Sequence, residues 1–164
     1  MRIGIIGLGY VGLPLAVAFA KKYQVKGLDI NKNRIKRLNK MEDDTKELSK
    51  NELKQVIGSS LNLSTRIEDL KECNIYIITV PTPVTENKTP NLVPIELATE
   101  SIGSILKKED IVVYESTVYP GVTEDICVPI LEKKSSLKFN IDFFVGYSPE
   151  RIHPGDKHHT ITKI

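Results

Sequence analysis

The chain has 164 residues and a formal net charge of +2, with 40% hydrophobic and 27% charged residues. This length predicts a single domain that is large enough to bury a core, and the composition is typical of a globular protein. The small net charge, the dispersed lysines and the lack of a long apolar run argue against nucleic-acid and membrane partners, so we expect a cytoplasmic protein.

A glycine-rich turn lies close to the start of the chain. An apolar run at residues 3–6 leads into GLGYVG at residues 7–12, and an apolar, helix-like segment follows. A G-x-G-x-x-G between a strand and a helix is a dinucleotide-binding fingerprint. Gly7 permits the tight turn, Gly9 lets the backbone approach a pyrophosphate, and Gly12 allows the helix to pack closely on the strand. The N-terminus of the helix adds a partial positive charge at the same point, so we predict a bound dinucleotide.

The second predicted strand ends on an acidic residue. Asp29 follows the glycines at the distance that the fingerprint requires, where it can accept hydrogen bonds from ribose hydroxyls. A 2′-phosphate would bring negative charge against this carboxylate, so we predict NAD rather than NADP. Arg34 lies only five residues further on and could hold such a phosphate, so it counts as a candidate cofactor contact and NADP stays open. Tyr10 and Val11 are further candidates, although Tyr10 can equally be a packing residue.

Strand and helix patterns alternate along the rest of the chain. Strands are predicted at residues 3–6, 24–30, 75–80, 110–114 and 143–146, and a sixth is expected at 160–164. Helices are predicted at residues 11–22, 31–40, 49–58, 65–72 and 94–108, and a last helix, bent by Pro129, extends to about residue 134. The alternation predicts an α/β fold, a Rossmann-type doubly wound and mostly parallel sheet with helices on both faces.

Capping residues support several of these helices. Asn31 is a good cap for the short basic helix, and SKNE at residues 49–52 is a capping box. TRIE at residues 65–68 repeats that pattern, and Pro94 stands at a first-turn position, where its missing N–H is not needed.

Polar segments follow the predicted strands at their carboxyl ends. They are residues 7–12, Asp29, and residues 81–83, 115–121 and 148–151. In a doubly wound sheet, ligands bind beyond the carboxyl ends of the strands, so we expect these segments to converge on one cleft.

The cysteines and histidines do not indicate a metal site. Cys73 and Cys127 fit neither a metal-binding spacing nor C-x-x-C, so we expect buried free thiols in a reducing compartment. His153, His158 and His159 lack acidic or cysteine partners at suitable spacing, and we interpret them as surface residues.

Four segments, taken in order, are distinctive. They are GLGYVGLPLA at residues 7–16, VPTP at 80–83, YESTVYPGVTE at 114–124 and GYSPERIHPGD at 146–156. Together they resemble the N-terminal cofactor domain of the UDP-glucose/GDP-mannose dehydrogenase family over essentially the whole chain. The last two are most similar to the branch that oxidises UDP-N-acetylhexosamines to uronic acids for surface polysaccharide.

The resemblance implies an NAD-dependent, four-electron oxidation of the C6 alcohol of a UDP-sugar, through an aldehyde and a cysteine thioester. It implies that Pro81, Thr82 and Thr117 lie at the cofactor, and that Thr117 also holds a catalytic water. It implies further that Glu150 acts at the reaction centre, as a base or water-orienting group in thioester hydrolysis, and that Arg151 reaches the sugar nucleotide. These residue types suit the tasks, since a carboxylate can manage protons and an arginine fork suits anionic groups.

Simpler interpretations of two of these segments stand beside the catalytic ones. Residues 148–151 can be an exposed turn with a salt-bridging pair, and Thr117 can cap the helix that follows it. The resemblance favours the functional interpretation for both, and Thr117 can serve both roles.

The family also has a helical middle domain with the nucleophilic cysteine and a C-terminal UDP-binding domain, both absent from residues 1–164. We therefore expect this chain to be the NAD-binding part of a longer dehydrogenase, a homodimer by family resemblance, and to bind NAD without completing the oxidation. Neither Cys73 nor Cys127 matches the family's catalytic position. The alternatives are a stand-alone NAD-sensing or regulatory module and another β-hydroxyacid-type dehydrogenase.

Overall fold

A computed structural model describes residues 1–149 of the chain. Glu150, Arg151, the three histidines and the sixth strand expected at residues 160–164 lie outside the described residues.

Within these residues, parallel strands form a single sheet. The strands are β1 Arg2–Ile6, β2 Gln24–Leu28, β3 Leu61–Ser64, β4 Ile75–Ile78, β5 Ile111–Tyr114 and β6 Phe144–Tyr147. Their order across the sheet is β3-β2-β1-β4-β5-β6, which is the order of the doubly wound dinucleotide-binding fold. The predicted fold class is confirmed.

Helices connect consecutive strands. They are α1 Gly12–Ala20, α2 Lys32–Leu38, α3 Lys50–Val56, α4 Val93–Gly103 and α5 Val128–Ser135, together with a 3₁₀ helix at Ile67–Leu70 and a π-helix at Val122–Cys127. Asn31 caps α2 by accepting hydrogen bonds from two backbone N–H groups. The capping box between Ser49 and Glu52 is present at α3, and Pro94 lies in the first turn of α4.

The core has two layers, one on each face of the sheet. Alternate residues of a strand point to opposite faces. On β4, Ile77 therefore packs with Ile3 and Ile5 and with residues of α1 and α3, whereas Tyr76 and Ile78 pack with residues of α4 and α5. Each of these five side chains is at most 5% exposed, which is the burial expected for a parallel sheet covered on both faces.

The register of the sheet aligns the ends of its central strands. Ile6, the last residue of β1, lies opposite Leu28 of β2 on one side and Ile78 of β4 on the other. Ile78 in turn lies opposite Tyr114 of β5. The segments that follow these four residues therefore leave the sheet side by side at one edge.

One strand and one cap differ from the prediction. The segment Leu61–Ser64 was not predicted as a strand, because four residues with only two large apolar side chains carry little periodic signal. The capping box predicted at residues 65–68 is wrong. Instead, Ser64 Oγ accepts a hydrogen bond from the Arg66 N–H and donates one to Asp69, and a 3₁₀ helix follows.

Several element boundaries also differ: β4 ends at Ile78 rather than at residue 80, and α4 ends at Gly103 rather than at residue 108. The second strand ends at Leu28 rather than at residue 30, since Asp29 already turns into the loop before α2. The last helix begins as a π-helix after Gly121 and becomes α-helical at Val128, with Pro129 in the first turn of the α-helical part.

Cys73 and Cys127 are both buried free thiols, as predicted. No helix in the described part of the chain is long and apolar enough to cross a membrane. Residues 1–149 contain no cluster of three or more side chains that could bind a metal ion.

Candidate functional site

A cavity of about 540 Å³ lies at the carboxyl ends of the central strands. Its walls come from the glycine-rich turn, the ends of β2, β4 and β5, and one side of α4. Eight of the residues predicted from the sequence line it: Gly7, Gly9, Tyr10, Val11, Asp29, Pro81, Thr82 and Thr117. The predicted convergence of the polar segments is confirmed for the four segments within the described residues.

Each glycine of the turn has a different steric environment. Gly7 has a φ of +93°, a backbone conformation that other residues rarely adopt. A Cβ at Gly12 would stand 1.9 Å from the Gly7 carbonyl oxygen, so only glycine allows α1 to start this close to β1. A Cβ at Gly9 would meet no heavy atom within 4 Å, which leaves open space above the turn. Gly7 and Gly9 line the cavity, whereas Gly12 lies behind it.

Asp29 anchors the turn and faces the cavity. Its Oδ2 accepts a hydrogen bond from the Leu8 N–H at 2.9 Å, and its Oδ1 accepts one from the Asn31 N–H at 2.8 Å. An ionised carboxylate has about four acceptor sites, so two of them stay available for ligand hydroxyl groups. Asp29 is only partly buried, which keeps it within reach of a ligand.

Arg34 does not line the cavity. Its side chain is buried behind the glycine-rich turn, where Nε donates to the Leu8 carbonyl oxygen at 2.9 Å. The other nitrogens of the guanidinium contact Asp43, Asp44 and Thr45. The structure therefore does not bring Arg34 together with the other candidate residues, and its predicted contact with a phosphate gains no support from this geometry.

Hydrogen bonds join the loops that follow β4 and β5. Thr82 Oγ1 donates to the Thr117 carbonyl oxygen at 2.7 Å, and Ser116 Oγ donates to the Val80 carbonyl oxygen at 2.6 Å. Thr79 Oγ1 donates to the Gly7 carbonyl oxygen at 2.7 Å and thereby joins the first of these loops to the glycine-rich turn. Thr117 is exposed, so its hydroxyl is open to a ligand.

Sequence reasoning did not select several residues of the cavity wall. They are Ile6, Leu28, Ile30, Thr79, Val80, Pro94, Leu97, Ala98 and Ser101, whereas Glu115 and Ser116 belong to the segment 115–121 that was expected at the cleft. Thr79 carried a usable signal, since it is a hydroxyl residue at the carboxyl end of an apolar strand. Leu97, Ala98 and Ser101 carried none, because the side of α4 that faces the cavity follows only from how the helix packs on the sheet.

These residues fit a dinucleotide. The volume lies in the range of small-molecule sites, and the lining is mostly apolar with a few polar groups. The open space at Gly9 and the adjoining N-terminus of α1 suit a pyrophosphate, and the carboxylate of Asp29 suits a ribose. Among residues 1–149, the cavity lining contains no lysine or arginine, so this part of the chain offers no side-chain cation to an additional 2′-phosphate.

Comparisons with known proteins agree with this geometry. Residues 1–164 match the NAD binding domain of the UDP-glucose/GDP-mannose dehydrogenase family. The chain is 56% identical over 164 residues to the UDP-N-acetyl-D-glucosamine 6-dehydrogenase of Pseudomonas aeruginosa, covering 100% of this chain and 38% of that protein. It is 52% identical over 166 residues to Protein CapL of Staphylococcus aureus, covering 99% of this chain and 38% of that protein.

A solved structure extends the comparison to three dimensions. The UDP-D-ManNAc dehydrogenase of Pyrococcus horikoshii matches with a TM-score of 0.88 at 38% identity, over 94% of this chain and 37% of that one. The chain thus spans less than two fifths of the length of the relatives described here. Because the family match extends over residues 1–164, the chain belongs to the UDP-glucose/GDP-mannose dehydrogenase family and corresponds to its NAD-binding domain.

Proposed function

We propose that this chain provides the NAD site of a dehydrogenase that oxidises C6 of a UDP-N-acetylhexosamine to the uronic acid for surface polysaccharide. The observation that carries the proposal is the convergence of the glycine-rich turn, Asp29, Thr82 and Thr117 on one cavity. The names of the relatives support the substrate class, since one of them is a UDP-N-acetyl-D-glucosamine 6-dehydrogenase. When bound there, NAD would supply the hydride acceptor for this oxidation.

The chain's own residues bind and orient the cofactor. The N–H groups at the start of α1 and the uncovered backbone at Gly9 meet the pyrophosphate, where unpaired donors and the helix dipole favour negative charge. Asp29 accepts hydrogen bonds from the ribose hydroxyls and disfavours a 2′-phosphate by charge repulsion. The hydrogen bond between Thr82 and Thr117 holds the loops after β4 and β5 together across the cavity.

The catalytic assignments rest on the family motifs. Thr117 lines the cavity, in keeping with a role in holding a catalytic water beside the cofactor. Glu150 is proposed as the base or water-orienting group at the reaction centre, and Arg151 as a contact of the sugar nucleotide.

The nucleophile is proposed to lie outside this chain. Burial raises the pKa of the Cys73 thiol to about 11 and also raises the pKa of the Cys127 thiol. Both thiols are therefore protonated at neutral pH, and both are buried, whereas a catalytic cysteine needs an accessible thiolate. We accordingly propose that the chain binds NAD but does not oxidise a UDP-sugar alone. From the family resemblance, we also propose that the longer parent enzyme is a cytoplasmic homodimer.

Thermal unfolding of the chain in the presence of NAD tests cofactor binding, with NADP as the comparator. A ligand that binds only the folded state stabilises it by about 2.7 kcal/mol at a hundredfold excess over its Kd. We expect a clear rise in Tm with NAD and little with NADP. The Gly9→Ala variant is the matched control, because its Cβ enters the open space above the turn without meeting a protein atom within 4 Å. An equal shift in this variant, or no shift in the unmodified chain, would contradict the proposed site.

A second assay tests whether the isolated chain can oxidise a UDP-sugar. The purified chain is mixed with NAD and UDP-N-acetyl-D-glucosamine, and NADH is followed by absorbance. We expect no NADH above background from the chain alone. UDP-sugar-dependent NADH formation by the isolated chain would disprove the proposal that catalysis needs further domains.

A further inference from the structure

The peptide groups of Leu8 are hydrogen-bonded on both sides. The Leu8 N–H donates to Asp29 Oδ2 at 2.9 Å, and the Leu8 carbonyl oxygen accepts from Arg34 Nε at 2.9 Å. The Leu8 side chain is fully buried, so the residue is also fixed by packing. Since Leu8 stands between Gly7 and Gly9, these contacts determine how the glycine-rich turn presents its backbone to the cavity.

The guanidinium of Arg34 is itself held in place. Arg34 is 6% exposed, and its Nη1 donates to Asp43 Oδ1 at 2.8 Å and also contacts Asp44. Nη2 lies 3.4 Å from Thr45 Oγ1. A planar guanidinium with its donors shared among these partners has little freedom to turn, so Nε stays aimed at the Leu8 carbonyl oxygen.

Asp43 is held equally firmly by the loop that follows α2. Its side chain is 1% exposed. Oδ1 accepts hydrogen bonds from the N–H and the hydroxyl group of Thr45, and Oδ2 accepts from the N–H groups of Glu47 and Leu48. The carboxylate therefore has a full set of donors before a cofactor binds, and it gives Arg34 a rigid point of attachment.

We infer that Arg34 and Asp43 form a brace that positions the glycine-rich turn for NAD by holding the Leu8 carbonyl oxygen. In this respect Arg34 is a positioning residue, and Asp43 acts through Arg34. The inference rests on the proposed NAD site for its consequence, but the brace itself is a property of the cofactor-free chain. The alternative, that the buried ion pair serves folding alone, predicts no specific effect at Leu8.

Amide hydrogen exchange of the cofactor-free chain, measured by NMR, tests the brace directly. In Arg34→Met we expect the Leu8 amide, which is bonded to Asp29, to exchange at least about tenfold faster, the effect of losing one charge-assisted hydrogen bond, with strand amides such as that of Ile5 unchanged. Arg37→Met is the matched control, because Arg37 lies one turn away on α2 and makes only exposed contacts, at 3.4 Å to Asp44 and 3.9 Å to Glu42. It should leave the Leu8 rate at its wild-type value.

A double variant, Arg34→Met with Asp43→Asn, separates positioning from folding. Because both charges of the buried pair are removed together, no unpaired buried charge remains to destabilise the fold. The Leu8 carbonyl oxygen nevertheless still lacks its donor. We expect fast exchange at Leu8 in this variant too. Unchanged rates in Arg34→Met, equally fast exchange in Arg37→Met, or loss of folding in both the single and the double variant would overturn the inference.

NAD affinity, measured by calorimetry well below the Tm of each variant, tests the consequence. We expect about tenfold weaker binding in Arg34→Met and in the double variant, and wild-type binding in Arg37→Met. If the unmodified chain does not bind NAD, the proposed function fails for the isolated chain, whereas the exchange rates still decide whether the brace exists. Wild-type affinity in a folded Arg34→Met variant would show that the turn needs no brace.

Discussion

Thr79 and Gly7 are joined by a hydrogen bond from the threonine hydroxyl group to the glycine carbonyl oxygen, 2.7 Å long. Thr79 follows β4 directly, and Gly7 follows β1, so the bond ties the ends of two neighbouring strands together at the cavity. The same hydroxyl oxygen would stand 2.3 Å from a Cβ at Gly12. The start of α1 and the end of β4 therefore pack very closely on the glycine-rich turn. For this reason the first and third glycines of the motif, Gly7 and Gly12, cannot be replaced by a larger residue without strain.

The glycines of the turn should respond differently to a single methyl group. Gly12→Ala places a Cβ 1.9 Å from the Gly7 carbonyl oxygen, so we expect destabilisation of about 3 kcal/mol, the upper end for overpacking. Gly9→Ala meets no protein atom within 4 Å, so its stability should stay within about 0.5 kcal/mol of wild type while NAD binding weakens. Urea unfolding and NAD titration separate the two effects. Equal stability losses in the two variants would contradict this division.

Asp29 should determine the preference for NAD. In Asp29→Asn the side chain keeps one acceptor oxygen but loses its charge, so we expect about tenfold weaker NAD binding from the loss of a charged hydrogen-bond acceptor. NADP binding should weaken less or improve, because the repulsion of the 2′-phosphate is removed. Calorimetric titration with both cofactors gives the ratio of the two Kd values. A ratio unchanged from wild type would exclude Asp29 as the discriminating residue.

Thr82 should contribute to the cofactor site by joining two loops. Thr82→Val removes the 2.7 Å hydrogen bond to the Thr117 carbonyl oxygen, and we expect about fivefold weaker NAD binding, the equivalent of about 1 kcal/mol. Thr85→Val is the control, since Thr85 bonds to Thr89 within its own exposed loop and does not line the cavity. If both variants bind NAD equally well, the link between the loops is not needed for binding.

Acid should weaken the fold partly through Asp43. Burial alone would raise the pKa of this carboxyl, but hydrogen bonds from Thr45, Arg34 and Leu48 outweigh it and hold the pKa below the ordinary value of 3.8. Because the folded pKa is the lower one, the contribution to stability is complete above pH 3.8 and is lost as the pH falls through the folded value.

The comparison with Asp43→Asn isolates this contribution. At pH 7 we expect the variant to be about 3 kcal/mol less stable, since the substitution breaks a buried ion pair. The difference from wild type should shrink as the pH falls below 3.8, and urea unfolding at pH values from 7 to 3 measures it. A difference that stays constant over this range would mean that Asp43 does not titrate with a lowered pKa.

Both cysteines should be unreactive in the native chain. Burial raises the pKa of Cys73 to about 11 and also raises that of Cys127, so neither forms an appreciable amount of thiolate at pH 8. A thiol reagent such as 5,5′-dithiobis(2-nitrobenzoate) should label neither cysteine in buffer and both in urea. Rapid labelling of either cysteine in the native chain would contradict this prediction and would make that cysteine a candidate nucleophile.

The sequence alone determined the fold class and the character of the site. The spacing of Gly7, Gly9, Gly12 and Asp29 is a local pattern, because all four residues belong to one strand, helix and strand unit. Alternation of strand and helix patterns was enough for the doubly wound sheet. The four motifs at residues 7–16, 80–83, 114–124 and 146–156 then identified the family that the comparisons show.

Only the tertiary structure decided which residues share the cavity and which support it from behind. Arg34 carries the same charge wherever it points, and its place behind Leu8 follows from the packing of α2 and from the loop around Asp43. The strand Leu61–Ser64 likewise exists because β2 offers it an edge to pair with, not because its four residues prefer that conformation. Contacts between residues distant in sequence depend on the whole fold, so a local pattern does not contain them.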